Sequence, residues 1–241
     1  MNKNYFNWLI KSRKISILFF ILIYIAFQLI PFSTFDSYSA KDTFVTSANI
    51  GCFLSMLMTV ALPVFLFSYI HRKSSADMFL SMPVSRREQL ITNLVFTWLM
   101  SYGSFFIGTT LVWVARTLNV IPVRMWLSLQ VFTAFALIVL ILVHSAVYNL
   151  ANSIFDGIVM IGAYALLPAI AGISVTSFLY SMIAGKNVPD DSFVNQLGTF
   201  LSPLAMSFIN IGSILEPDYS DAAFNYYYLI PMIMFAIIAA A

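Results

Sequence analysis

The sequence predicts an all-α integral membrane protein: six transmembrane helices, an N-terminal elbow helix along the inner membrane surface, a short cytoplasmic helix and an external re-entrant segment. Two observations carry that class. Of 241 residues, 61% are hydrophobic and only 9% charged, against about 25% charge in an ordinary soluble domain. Runs of about 20 mostly apolar residues, the length that crosses ~30 Å of hydrocarbon, recur along the chain with short polar breaks between them.

Residues 1–14 read as an amphipathic elbow. Phe6, Leu9, Ile10 and Arg13 share one face by three-and-four spacing, and Asn4, Asn7, Lys11 and Lys14 share the other. Tyr5 and Trp8 fall at headgroup level, so Phe6, Trp8, Lys11 and Lys14 are expected interface anchors. Spans follow near 15–34, 46–70, 90–115, 125–149 and 157–183, and a sixth begins at Tyr226. The first exceeds a signal-peptide core and no small-residue cleavage site follows it, so it is expected to stay in the membrane.

Residues 184–227 form the long external connection. Within it, 198–216 is apolar but broken by Pro203, Asn210 and Gly212, which favours a re-entrant or interfacial helix over a full span. Tyr226 and Tyr227, with Phe224 and Tyr228, are expected to anchor the last helix at the interface. From Tyr226 to Ala241 a helix is about 24 Å long, short of the hydrocarbon core, so the native chain is expected to continue.

Orientation follows from the basic residues. With the N-terminus inside, Lys3, Lys11, Arg13, Lys14, Arg72, Lys73, Arg86 and Arg87 are cytoplasmic, and Lys41, Arg116, Arg124 and Lys186 are external. Arg116 and Arg124, flanking a short external turn, run against the trend. The location implied is the cell membrane, multi-pass. A net charge of +2 points to no nucleic-acid partner.

Chemistry is sparse. The Gly185–Lys186 pair lacks the rest of a phosphate-cradling loop, and with His71 and His144 as the only histidines a zinc hydrolase is short of ligands. His144, alone near a helix end, reads as a packing or hydrogen-bonding residue. Asp156 has no second membrane aspartate to form a dyad, and Cys52 reads as packing. The chain is expected not to be an enzyme and to hold no catalytic, metal or cofactor site. With no charge evident at the span centres, an ion-coupled transporter is disfavoured, and a bundle of this kind would draw its energy from elsewhere.

The insert at 71–87 is the best place to receive it. Ser74 or Ser75 caps a helix of about two turns with Asp77 in its first turn, and Pro83 ends it. Met78, Phe79 and Met82 form an apolar face, flanked by Arg72, Lys73, Arg86 and Arg87. An ordinary positive-inside loop with a short interfacial helix remains the plainer reading.

This insert resembles a segment of bacterial ABC-2-type transporter permeases, in which a basic pair precedes Ser-x-x-Asp-x-x-x-Ser-Leu/Met-Pro-Ile/Val-x-Arg. Ser74, Asp77, Ser81, Met82, Pro83, Val84 and Arg86 fill those places. The local match covers about twenty residues, and the wider layout is also similar. The resemblance implies that 74–83 is a coupling helix docking on a cytoplasmic dimer of ATP-binding subunits, which would hold the ATP and Mg. It further implies a second permease chain, identical or not, and a second cytoplasmic contact between spans four and five. Asn152, Ser153 and Asp156 are the candidates there, although 149–157 reads equally as a plain turn. The expected function is the permease subunit of an exporter of an amphiphilic or hydrophobic peptide, lipid or drug. The alternatives are a non-transporting sensor or scaffold holding a partner through the same loop and, less favoured, a lipid-modifying enzyme.

Overall fold

The computed structural model describes residues 3–31, 40–71, 84–118 and 120–182, with positions 81, 202, 233 and 237. Five helices fill the long segments: α1 Lys3–Leu29, α2 Ala40–Phe67, α3 Arg86–Val112, α4 Val123–Leu150 and α5 Ile154–Ser181. There is no strand among the described residues. A 3-10 turn, Ser68–His71, prolongs α2, and a π-helical turn, Trp113–Thr117, prolongs α3.

Four stretches are long and apolar enough to cross a membrane: Ala40–His71, Arg86–Ala115, Val123–Leu150 and Ile154–Gly172. They overlie the expected spans at 46–70, 90–115, 125–149 and 157–183. Within the expected first span at 15–34, α1 carries the apolar stretch Ile17–Leu29. Moreover, α1 runs unbroken from Lys3 to Leu29, so no helix ends where the elbow at 1–14 would hand over to a span at 15–34. The expected span at 226–241 and the segment at 198–216 lie outside the described residues except for Ser202, Ile233 and Ile237. Ser202 is buried, and its hydroxyl donates to the Ala165 carbonyl of α5 at 2.6 Å.

The closest helix pairing is α2 with α3, and α1 and α4 pack against that pair. The reason is written at four-residue intervals. Thr43, Ser47, Gly51, Ser55 and Thr59 make one buried row on α2. Asn93, Thr97 and Ser101 make another on α3, continued by Phe105 and Thr109. Small side chains in such rows let backbones approach, and the threonine hydroxyls of Thr59, Thr97 and Thr109 are satisfied within their own helices. Thr97 donates to Asn93 O at 2.9 Å and Thr109 to Phe105 O at 2.7 Å. The apolar core lies beside these rows, with Tyr24, Phe44, Cys52, Met56, Phe105, Leu129 and Phe132 all nearly inaccessible.

Interhelical polar contacts join the rows. The Tyr24 hydroxyl of α1 meets Gly51 O and Ser55 Oγ of α2, and Ser47 Oγ donates to Gln28 O at 2.7 Å. The Gln28 side chain lies against both Gly51 and Gly108, where a Cβ at either position would overlap its amide. From α4, Gln130 Nε2 donates to Thr109 Oγ1 at 2.7 Å.

Pro63, buried inside α2, removes the N–H that would otherwise bond to Thr59 O one turn earlier. His144 of α4 takes that place, its Nδ1 lying 3.2 Å from Thr59 O and 3.1 Å from Thr59 Oγ1. Since Thr59 Oγ1 donates to Met56 O at 2.7 Å, the arrangement calls for the tautomer with its proton on Nδ1, donating to the carbonyl. A backbone acceptor stranded in an apolar bundle must find a neighbouring helix, and this one does.

Candidate functional site

The candidate site is the end of the bundle from which the 72–83 insert leaves. Of the insert's expected contact residues, Arg72, Lys73, Ser74, Asp77, Met78, Phe79, Met82 and Pro83 lie outside the described residues. Their two roots are well defined. One is His71, at the end of the 3-10 turn after α2. The other is Ser85, the N-cap of α3, with Arg86 and Arg87 exposed in the first turn beyond it.

Ser85 builds a reciprocal cap. Its Oγ accepts from Glu88 N at 3.2 Å while Glu88 Oε2 accepts from Ser85 N at 3.3 Å. The Ser-Arg-Arg-Glu spacing is the S-x-x-E signature of a capping box, legible in the sequence and overlooked beside the basic pair. Glu88, two residues after Arg86, thereby fixes where the insert ends and the helix begins.

The other root reaches the second expected contact. The His71 ring meets Tyr148 edge to face, with centroids 5.0 Å apart at 81°. Tyr148 packs with Phe67 and Ile161, joining the ends of α2 and α4 to α5. Gly157 makes this possible, because a Cβ there would stand 2.5 Å from the Tyr148 ring. The turn at 151–153 is therefore seated beside the root of the insert. In it Ser153 is the local cap of α5, its Oγ accepting from Asp156 N at 3.1 Å, while Asn152 and Asp156 are exposed. The structure brings His71 and the Asn152–Asp156 turn to one end of the bundle.

The first half of α1 packs at the same end. Tyr5 and Leu9 are buried with Leu66 and Phe96, with Phe6 and Val84 against them. Tyr5 Oη donates to Asn93 Oδ1 at 3.4 Å, and Phe6 meets Phe96 edge to face at 6.4 Å. Burial raises the Tyr5 phenol above its ordinary value, offset in part by the Asn93 hydrogen bond, so it stays a neutral donor. Tyr5, expected at headgroup level, is instead buried, and Ile10, on the expected apolar face, is exposed. The packed stripe is Tyr5, Leu9, Arg13 and Ile17, at spacing four. Of the expected anchors, Trp8 is exposed and stacked on Tyr5 at 5.8 Å, and Lys11 and Lys14 are exposed. Tyr226 and Tyr227 lie outside the described residues.

Arg13 is the residue whose surroundings spacing did not reveal. Its guanidinium carbon stands 4.4 Å from the centroid of Phe65 on α2. Partial burial lowers its pKa from the ordinary arginine value, offset by Tyr5, and the group remains a cation.

Among the described residues no group of three His, Cys, Asp or Glu side chains is placed to hold a metal ion. The interior instead carries neutral polar groups, including Gln28, Thr59, Gln130, Thr133 and His144. The fold defines an all-helical chain with four helices long and apolar enough to cross a membrane, compatible with a multi-pass membrane protein. No family model, curated protein or solved structure matches it.

Proposed function

We propose that this chain is the permease subunit of an ATP-driven ABC exporter of the ABC-2 type, with six spans and its N-terminus in the cytoplasm. The observation that carries the reading is the run Ser74, Asp77, Ser81, Met82, Pro83, Val84 and Arg86 between α2 and α3. Two features support it. The insert's roots are stiff, one closed by a capping box and the other braced against Tyr148, so force applied to the loop passes into helices rather than into slack chain. The turn carrying Asn152, Ser153 and Asp156 lies beside one root, so one docked partner could touch both.

The mechanism has an ATP-binding dimer closing on the cytoplasmic side, moving the two coupling helices together and rocking two permease chains between inward- and outward-facing states. ATP drives the shift by its differential affinity for those states. The substrate path lies between the two chains, and an amphiphilic or hydrophobic peptide, lipid or drug suits it.

Co-expression with the ATP-binding subunit tests this. Asp77→Ala and Phe79→Ala are expected to reduce co-purification of the ATPase while leaving the unfolding temperature of the permease unchanged. Undiminished co-purification refutes the docking role. A bound partner whose ATP hydrolysis moves no substrate returns the sensor or scaffold reading.

A further inference from the structure

Between Thr59 and Pro63 the backbone ladder of α2 is interrupted. Pro63 supplies no N–H to Thr59 O, and the Thr59 hydroxyl bonds back to Met56 O at 2.7 Å, a contact that helices accommodate by bending. Sharp bends in long helices fall almost always at such points.

The packing divides at the same level. Phe44, Ala48, Cys52 and Met56 of α2 belong to the main core, with Tyr24, Phe105 and Leu140. Beyond the proline, Leu66 packs in a separate cluster with Tyr5, Leu9 and Phe96, and Phe67 in another with Tyr148 and Ile161. Units with few buried apolar contacts open at lower free energy than the core they adjoin. A polar bond sits at the division. His144, next to Val143 of the main core, donates from Nδ1 to Thr59 O at 3.2 Å. Its Nε2 is buried with no hydrogen-bond partner, so the ring's hydrogen bonding is to Thr59.

We propose that α2 hinges at Pro63, that the segment from Pro63 to His71 moves as one arm, and that His144 is the catch holding the hinge closed. The arm is eight residues, about 12 Å, long and ends at the root of the insert. A short rigid arm on a hinge turns a displacement of the insert into a change of angle between the two parts of α2. The arm also rests on Tyr148 through Phe67 and His71, contacts of apolar surface and ring edge that slide without stranding a backbone group. The device belongs to a single chain, so it can fail with the permease reading intact and hold where no ATPase binds.

Hydrogen–deuterium exchange of the full chain in detergent, read by mass spectrometry in peptides covering 64–71, 48–58 and 91–105, tests it. His144→Phe is expected to speed exchange in 64–71 by roughly three- to twentyfold, the span of interhelical hydrogen bonds in membranes, and to leave 48–58 and 91–105 unchanged. Pro63→Ala, which restores the ladder, is expected to slow 64–71 by a similar factor. It touches no residue of α4, so the idea stays testable if His144→Phe fails to fold. In the Pro63→Ala background His144→Phe is expected to change 64–71 by less than roughly twofold. An equal rise in all three peptides overturns the proposal, since it would make His144 a prop of the whole bundle. So does exchange in 64–71 that Pro63→Ala leaves unaltered, or a His144→Phe effect that persists in full without the proline.

Discussion

If His144 is present to satisfy the carbonyl that Pro63 strands, then removing the proline should remove most of the need for the histidine. The perturbation is His144→Phe, which keeps a ring of similar size in the buried site and deletes the donor 3.2 Å from Thr59 O. A buried acceptor left without a partner costs about 1–3 kcal/mol. Interhelical hydrogen bonds in membranes average about 0.6 kcal/mol and reach about 1.7. An expected loss of about 1–1.7 kcal/mol satisfies both ranges. Pro63→Ala restores an N–H four residues after Thr59, so in that background His144→Phe should cost about 1 kcal/mol less. The assay is thermal unfolding in detergent, followed by labelling of Cys52, which is the chain's single cysteine and is buried in the fold. At about 2–4 °C per kcal/mol for a chain of this size, the single variant should unfold several degrees early and the coupling should appear as about 2–4 °C. An identical loss in the two backgrounds refutes the reasoning and makes His144 a packing residue.

The remaining predictions use the same assay. Gly108→Ala places a methyl group onto the Gln28 amide and should cost about 1–3 kcal/mol as overpacking. In a Gln28→Ala background most of that cost should vanish, and an unchanged cost would show that Gly108 matters for something other than room. Ser85→Ala breaks the cap of α3 and should cost about 1 kcal/mol, with faster proteolysis of the adjoining insert. Unaltered cleavage would mean that the cap does not set where the insert ends.

Much of the layout was legible because it is a one-dimensional property. The helices at 40–67, 86–112, 123–150 and 154–181 declare themselves through long apolar runs bounded by polar residues. At the start, spacing assigns an elbow ending near residue 14, and the helix continues unbroken to Leu29. Nothing between Arg13 and Ile17 breaks a helix, and charge alone does not end one. The packed stripe of Tyr5, Leu9, Arg13 and Ile17 shares Leu9 and Arg13 with the face of Phe6, Leu9, Ile10 and Arg13, because adjoining faces of a helix satisfy the same spacing. Only the partners on α2 and α3 choose between the two faces.

Within the candidate site, the motif in the insert is a sequence property, whereas its neighbourhood is not. That His71 meets Tyr148 depends on residues more than seventy positions apart, and that Gly157 leaves room for the ring depends on how α4 and α5 pack. The four-residue rows of Ser, Thr, Asn and Gly in α2 and α3 were visible as a pattern, yet composition alone reads them as dilute polarity in an apolar span. The sequence by itself determined the all-helical class, the apolar stretches and the basic, motif-bearing insert, since these rest on solvent preference and local propensity. The tertiary structure alone decided which polar groups face one another: His144 on a proline-stranded carbonyl, Gln28 between two glycines, and Arg13 over Phe65. Each of those follows from packing, which brings side chains from different helices against one another at positions that no local sequence pattern specifies.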